Sequence, residues 1–217
     1  MIDPDTEADA SPHATAAAYD SVAVRYAEFV GDGLTGLPVD RAVLALFASL
    51  VGETGQRDVA DLGCGPGQLT AHLRGLGLRP FGVDLSAKMI DLARAAHPGL
   101  RFEVGSMAAL AVPDHSLGGV LSWYSLIHTP PEHLPHYLAE FHRVLTPGGH
   151  LLLAFFESDD DAVTTFDHRV APAYRWPLRH LEALARTAGF SELARISREP
   201  HDGERHRRGH LVMRRPE

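Results

Sequence analysis

The stretch VADLGCGPGQLT, residues 59–70, runs from an apolar, strand-like segment through Gly63, Gly65 and Gly67 into a helical pattern. Glycine permits positive φ and lets backbone N–H groups come close to a ligand at a helix start. A lone Gly-x-Gly marks only a tight turn. Here two acids accompany it. Asp61 stands at the turn entry, and GVDLS, residues 82–86, puts Asp84 at the tip of the next apolar segment. A carboxylate in that place can accept both hydroxyls of a ribose.

Working outward, the chain alternates strand and helix signals. Arg79 to Asp84 reads as a strand, and Ser86 is a good N-cap for a helix through Ala96. Residues 100–104 and 118–124 read as strands. Thr129 to Glu132 (TPPE) matches a capping box ahead of a helix with Leu134, Leu138, Phe141 and Leu145 on one face; Gly148 and Gly149 then reset the chain into a strand, 150–156. Upstream, Val22, Tyr26, Phe29 and Val30 recur at helical spacing from Tyr19. Asp40 is placed to cap a second helix through Val43, Leu46, Phe47 and Leu50, closed by Gly52. Alternation of this kind means βαβ units: a doubly wound α/β fold whose ligands bind at the carboxyl ends of the strands. After Phe156 the pattern breaks. Residues 157–175 look irregular and polar, a helix with Leu178, Leu181 and Leu184 follows, and two strands near 191–198 and 208–214 form an antiparallel pair at one edge. The reading divides the chain into a loose tail, 1–14, and one domain, 15–217, with N-terminal helices in 15–55 and an insertion at 157–177.

The 217 residues are 45% hydrophobic with a formal charge of −8, which suits one sizeable core and supplies no positive field for a phosphate backbone. Nucleic acid is disfavoured and a small-molecule partner favoured. Cys64 is the only cysteine, so no intramolecular disulfide or C-x-x-C site can form. His133 and His136 lie three apart without a partner ligand, so no metal is expected. The His- and Arg-rich stretch 201–215 reads as a charged edge strand that resists aggregation. An acidic, polar start and the lack of a long apolar run lead us to expect a cytoplasmic protein without membrane contact, monomer or homodimer.

The motif DLGCGPG resembles the nucleoside-binding motif of class I S-adenosylmethionine-dependent methyltransferases, in particular their small-molecule branch, and GVDLS resembles their acidic second motif. The likeness continues through GSMAAL, PDHSLGGVLSWYSLIH and EFHRVLTPGGHLLLAF, covering roughly Tyr19 to Phe156 in family order. It implies a seven-stranded sheet with a reversed last strand, S-adenosyl-L-methionine as methyl donor and S-adenosyl-L-homocysteine as product. On that resemblance the Gly63–Cys64–Gly65–Gly67 loop holds the methionine part, with Asp61 near its amino group. Asp84 binds the ribose, Leu85 covers the adenine, Ser106 and Met107 border its edge, and Ser122 lies beside the methionine. Many relatives carry an acid where Ser106 stands, and Leu85 and Met107 serve equally as core residues. The segment YDSVAVRYAEF resembles the family's lid helix, making Tyr19 a cofactor contact and Tyr26 a substrate contact or a buried helix residue.

Methyl transfer from a sulfonium needs alignment and exclusion of water, and a general base when the acceptor carries a proton. His128, in WYSLIHTP, is our candidate base; the alternative is a histidine that only bonds the loop. Trp123, Tyr124, Arg169, Tyr174 and Trp176 are candidate acceptor contacts, with Phe166, His168 and Arg175 in the same insertion. The composition, rich in Ala, Arg, His and Gly, has the flavour of a high-GC bacterial gene, and the resemblance, whose small-molecule members often tailor metabolites, implies a place in specialised metabolism. Two other functions share the signals: a nicotinamide-dependent oxidoreductase, disfavoured by the Gly-x-Gly-x-Gly spacing, and a non-catalytic S-adenosylmethionine-binding protein.

Overall fold

The computed structural model describes residues 11–31, 33–201 and 203–217. Its helices are α1 (Pro12–Val30), α2 (Pro38–Glu53), α3 (Gln68–Gly75), α4 (Ala87–Ala96), α5 (Leu134–Val144) and α6 (Leu178–Thr187). Its strands are β1 (Asp58–Leu62), β2 (Arg79–Asp84), β3 (Arg101–Val104), β4 (Leu117–Trp123), β5 (Leu145–Phe156), β6 (Thr164–Asp167), β7 (Pro172–Arg175), β8 (Ser191–Arg198) and β9 (Arg208–Arg214). Seven strands form one sheet of order β3-β2-β1-β4-β5-β9-β8. The first five are parallel, and β9 runs antiparallel to both β5 and β8. The sheet is that of the expected α/β fold with its last strand reversed, and the switch in strand order falls between β1 and β4.

Strand alternation assigns each side chain to a layer. Val59, Leu121, Leu152 and Val212 meet Phe47 and Val51 of α2 and Leu69 and Leu73 of α3 on one face. Ala60, Leu62, Val120, Leu151, Leu153 and Leu211 meet Leu138 and Phe141 of α5 and Leu181 and Ala185 of α6 on the other. Asp61 follows Val59's side of the pleat by two residues and so points at α3.

Several sequence expectations change. Ser11 accepts from the N–H of Ala14 and starts α1 at Pro12, so residues 12–14 are helical rather than tail, while 1–10 lie outside the described residues. Phe29 is 85% exposed and is not part of the apolar face read for this helix. α2 begins at Pro38 behind Leu37 and runs to Glu53, past Gly52; Asp40 lies inside its first turn, 1% exposed, with Oδ2 3.0 Å from Arg198 Nε and Oδ1 3.6 Å from His210 Nε2. A charge from β8 holds this acid where capping was expected. Thr129 does not cap α5 either: residues 131–133 form a short 3-10 turn and His133 precedes the helix without a side-chain cap. β5 starts at Leu145, ahead of Gly148. The segment read as irregular contains the antiparallel hairpin β6–β7. Finally, β9 is not an edge strand. It lies between β5 and β8, and its buried centre explains why Leu211, Val212 and Met213 interrupt the charged run.

Candidate active site

At the carboxyl end of β1 the chain turns back on β2, with the N–H groups of Gly63 and Cys64 donating to the Val83 carbonyl at 2.8 and 3.1 Å. Gly67 then opens α3 with φ 86°, and a Cβ there would stand 2.7 Å from the Phe102 ring. Both the backbone conformation and the packing therefore require glycine. Gly65, with φ 53°, faces open space instead. Its N–H donates to Asp84 Oδ2 at 2.8 Å, and the N–H of Ser86 donates to Oδ1 at 2.8 Å. Burial raises the Asp84 carboxyl above its ordinary value, against the pull of these two donors.

Asp61 is almost fully buried and accepts from the Thr70 hydroxyl at 2.6 Å. Burial, opposed by the Thr70 bond and aided by the Asp84 charge, pushes its pKa up to about 7. Ser122 is buried at the end of β4 and shares a 2.7 Å hydrogen bond with Ser125, which packs over Gly63. Leu85 is half-buried after β2. Ser106 is half-buried and its hydroxyl accepts from Ala108 N–H at 3.1 Å. Met107 belongs to the main core. The Cys64 side chain points away from the loop's open side into a small cluster with Ile90, Ala93 and Phe102, where burial raises its thiol well above the usual range.

Helix α1 lies across this region. Its Asp20 accepts from the Ser86 hydroxyl at 2.5 Å and from Lys88 N–H at 3.1 Å, while the same Ser86 oxygen accepts from Met89 N–H as the cap of α4. One serine thus ties α1 to the start of α4, just beyond the end of β2. Asp20 carried no signal in the sequence, because its partner is 66 residues away. One residue earlier, the Tyr19 hydroxyl sits 2.9 Å from His128 Nε2. His128 Nδ1 is 2.8 Å from the Pro172 carbonyl, which can only accept, so Nδ1 carries the proton and Nε2 accepts from the Tyr19 hydroxyl. Burial holds His128 below its ordinary value, partly offset by Pro172. Burial, then the neighbours Tyr26 and Asp84, push Tyr19 well up. Both groups are therefore neutral near pH 7. Tyr26 packs edge-on against Tyr19, with ring centres 5.3 Å apart.

Beyond His128 the hairpin β6–β7 forms a wall. His168 packs edge-on against His128 at 5.1 Å, and Phe166 and Phe156 stack beside it. Trp123 and Tyr124 pack on each other and on His210. Arg208 lies over the Phe156 ring at 4.1 Å and over Tyr124 at 5.0 Å. Arg169, at the hairpin tip with φ 71°, is exposed. Tyr174 packs against the main core, and Trp176 is buried within it. The structure thus brings Tyr19, Tyr26, His128 and Tyr124 into one aromatic, polar stretch and leaves Arg169 and Trp176 outside it. Arg208 was read only as part of a charged strand.

A glycine loop and an acid at adjacent strand ends of a reversed seven-stranded sheet define a nucleoside-binding protein of the Rossmann-like class. Residues 59–149 match the methyltransferase domain family. The chain is 36% identical over 101 residues to a malonyl-[acyl-carrier protein] O-methyltransferase of Erwinia billingiae, covering 46% of this chain and 39% of that protein. It is 30% identical over 155 residues to a demethylmenaquinone methyltransferase of Beutenbergia cavernae, covering 71% and 63%. The chain therefore spans about 39% to 63% of the lengths of these relatives. In shape it is similar to the 1,6-didemethyltoxoflavin-N1-methyltransferase of Burkholderia thailandensis, solved with its namesake substrate and S-adenosylhomocysteine. The TM-score is 0.73 and the identity 25%, over 95% of this chain and 91% of that one. The matched segment, residues 59–149, which holds the Gly63–Gly67 loop and Asp84, is a methyltransferase domain of the class I S-adenosylmethionine-dependent type.

Proposed function

We propose that this chain transfers the methyl group of S-adenosylmethionine to a small-molecule acceptor. The observation that carries the reading is the Asp84 carboxylate, held by the N–H groups of Gly65 and Ser86 beside a glycine whose outer face is open. These residues fit the cofactor: the open face of Gly65 leaves room that any side chain would fill. Asp84 would hold the ribose, the Gly63–Gly67 backbone and Asp61 the methionine end, and Leu85, Ser106 and Met107 the adenine. When bound, S-adenosylmethionine supplies an electrophilic methyl carbon on a sulfonium and departs as a neutral thioether.

The residues of the chain do the rest. Tyr19 and Tyr26 screen the site from water and help fix the acceptor's approach. The proton of a protic acceptor leaves through Tyr19 and His128: the Tyr19 oxygen accepts it while the Tyr19 proton moves to His128 Nε2, so one proton leaves the acceptor and one arrives on the imidazole. Pro172 stabilises the imidazolium through Nδ1–H. Burial keeps His128 neutral beforehand, which a base working near pH 7 requires.

Release of S-adenosylhomocysteine, followed over a panel of small hydroxyl, amine and carbon-acid acceptors, tests the reading. Turnover with at least one acceptor above the acceptor-free rate is expected. Binding of the product nucleoside with no release from any acceptor would instead favour a non-catalytic binding protein.

A further inference from the structure

Around the hairpin wall, several polar atoms are shut from solvent without a hydrogen-bond partner: Arg208 Nη1, Arg175 Nε, His168 Nδ1, His206 Nε2 and the Tyr124 hydroxyl. A buried polar atom left unpaired loses the hydration it had in water and gains nothing back, so five in one neighbourhood is an unusual concentration. The two guanidinium atoms can only donate. His206 packs edge-on against Phe166 at 4.8 Å and Phe156 at 6.1 Å, and His168 lies 5.9 Å from Phe156, so the donors border a cluster of aromatic rings. Burial, then His128 and Arg208, lower His168 to about 4, and burial, then Arg175, Arg205 and Arg208, lower His206. The neighbouring carboxylates are already paired. Asp159 pairs with Arg175 Nη1 at 3.5 Å, Asp167 accepts from Arg169 N–H, and Glu204 takes the other edge of Arg208 at 3.3 Å as well as Arg198. Contacts run unbroken from Arg208 through Phe156 and His168 to His128 and Tyr19, and so to the transfer site.

We infer that the acceptor is a small aromatic carboxylate, its ring laid along Phe156 and Phe166 and its carboxylate received by Arg208 with His168 and His206. This rests on the methyltransferase reading above. A carboxylate supplies the acceptor atoms that the unpaired donors lack, and an ion pair out of water is where a guanidinium fork is most effective.

The test titrates salicylate, with neutral salicylamide as control, into the protein saturated with S-adenosylhomocysteine, whose own binding is measured first. Salicylate should bind at least about tenfold more tightly than salicylamide, and Arg208→Gln should abolish that preference while leaving the nucleoside affinity unchanged. Arg208→Lys keeps the charge and serves if the glutamine variant unfolds; it should keep less than half of the preference. Independently of any variant, salicylate should raise the pH at which two imidazole Cε1–H proton resonances titrate, because an anion favours the protonated rings. Equal binding of the two probes, no binding of either, or a preference that survives Arg208→Gln would overturn the inference. Failure of the nucleoside to bind would instead strike at the methyltransferase reading itself.

Discussion

If Asp61 receives the ammonium group of the cofactor, cofactor affinity must depend on pH in a calculable way. In the free protein the Asp61 carboxyl titrates at about 7, chiefly because burial disfavours the charged form. An ammonium partner binds only the carboxylate well, so binding at lower pH must first remove a proton. For one group with a pKa of about 7 that is fully ionised in the complex, affinity rises about fivefold from pH 6 to pH 7, and about half a proton is released on binding at pH 7. Above that range the cofactor's own amino group, near 8 in free α-amines, begins to lose its charge and the gain levels off. The free protein shows the converse. A raised acid is a group that the folded state prefers protonated, so Asp61 lowers stability progressively as pH rises from about 4 to about 7. Calorimetric titration of S-adenosylhomocysteine in two buffers of different ionisation enthalpy, at pH 6.0, 6.5 and 7.0, measures both affinity and proton release. Asp84 also titrates above its ordinary value, so Asp61→Asn isolates the contribution of Asp61. That variant should bind more weakly at pH 7 and show a flatter pH dependence. A wild-type affinity constant over this range, or an unchanged slope in Asp61→Asn, would refute the placement of Asp61.

Three further outcomes follow from the geometry. Tyr19→Phe and His128→Gln should each lower kcat for a protic acceptor about 100-fold or more, with the KM for S-adenosylmethionine little changed and the acidic limb of the kcat–pH profile lost; an unaltered profile in both would make His128 a loop anchor. Gly67→Ala forces a methyl group towards the Phe102 ring at a φ of 86° and should cost about 1–3 kcal/mol in urea denaturation, an unchanged midpoint counting against the packing described. Asp40→Ala leaves Arg198 buried with Glu204 as its remaining partner and should cost about 3 kcal/mol by the same measurement, whereas a loss under about 1 kcal/mol would mean the network contributes little.

What the sequence showed plainly was whatever local periodicity can encode. The glycine loop after β1, Ser86 as the cap of α4, and β9 from Arg208 to Arg214 all appear where the residue pattern puts them. The hairpin β6–β7 was missed because its strands are four residues long and their partly buried, polar residues show no apolar run. Asp40 looked like an N-cap because its residue type fits that role, and only the fold brings Arg198 to it from 158 positions away. The Tyr19–His128 bond spans 109 residues and Asp20–Ser86 spans 66, so each residue was visible as a candidate or as a helix position while the pairing was not. Arg208 was hidden for a related reason: in a run of Arg and His, the one guanidinium that turns onto Phe156 looks like its exposed neighbours.

The central claim is that the Gly63–Gly67 loop and Asp84 form a site for a sulfur nucleoside. Calorimetric titration of the wild-type protein and Asp84→Ala with S-adenosylhomocysteine, and of the wild type with NADH, tests it most directly. The account predicts saturable binding of the sulfur nucleoside, weakened at least about tenfold in the variant through loss of a charged hydrogen-bond acceptor, and no comparable binding of NADH. Tighter binding of NADH, or an affinity for S-adenosylhomocysteine that Asp84→Ala leaves unchanged, would contradict it.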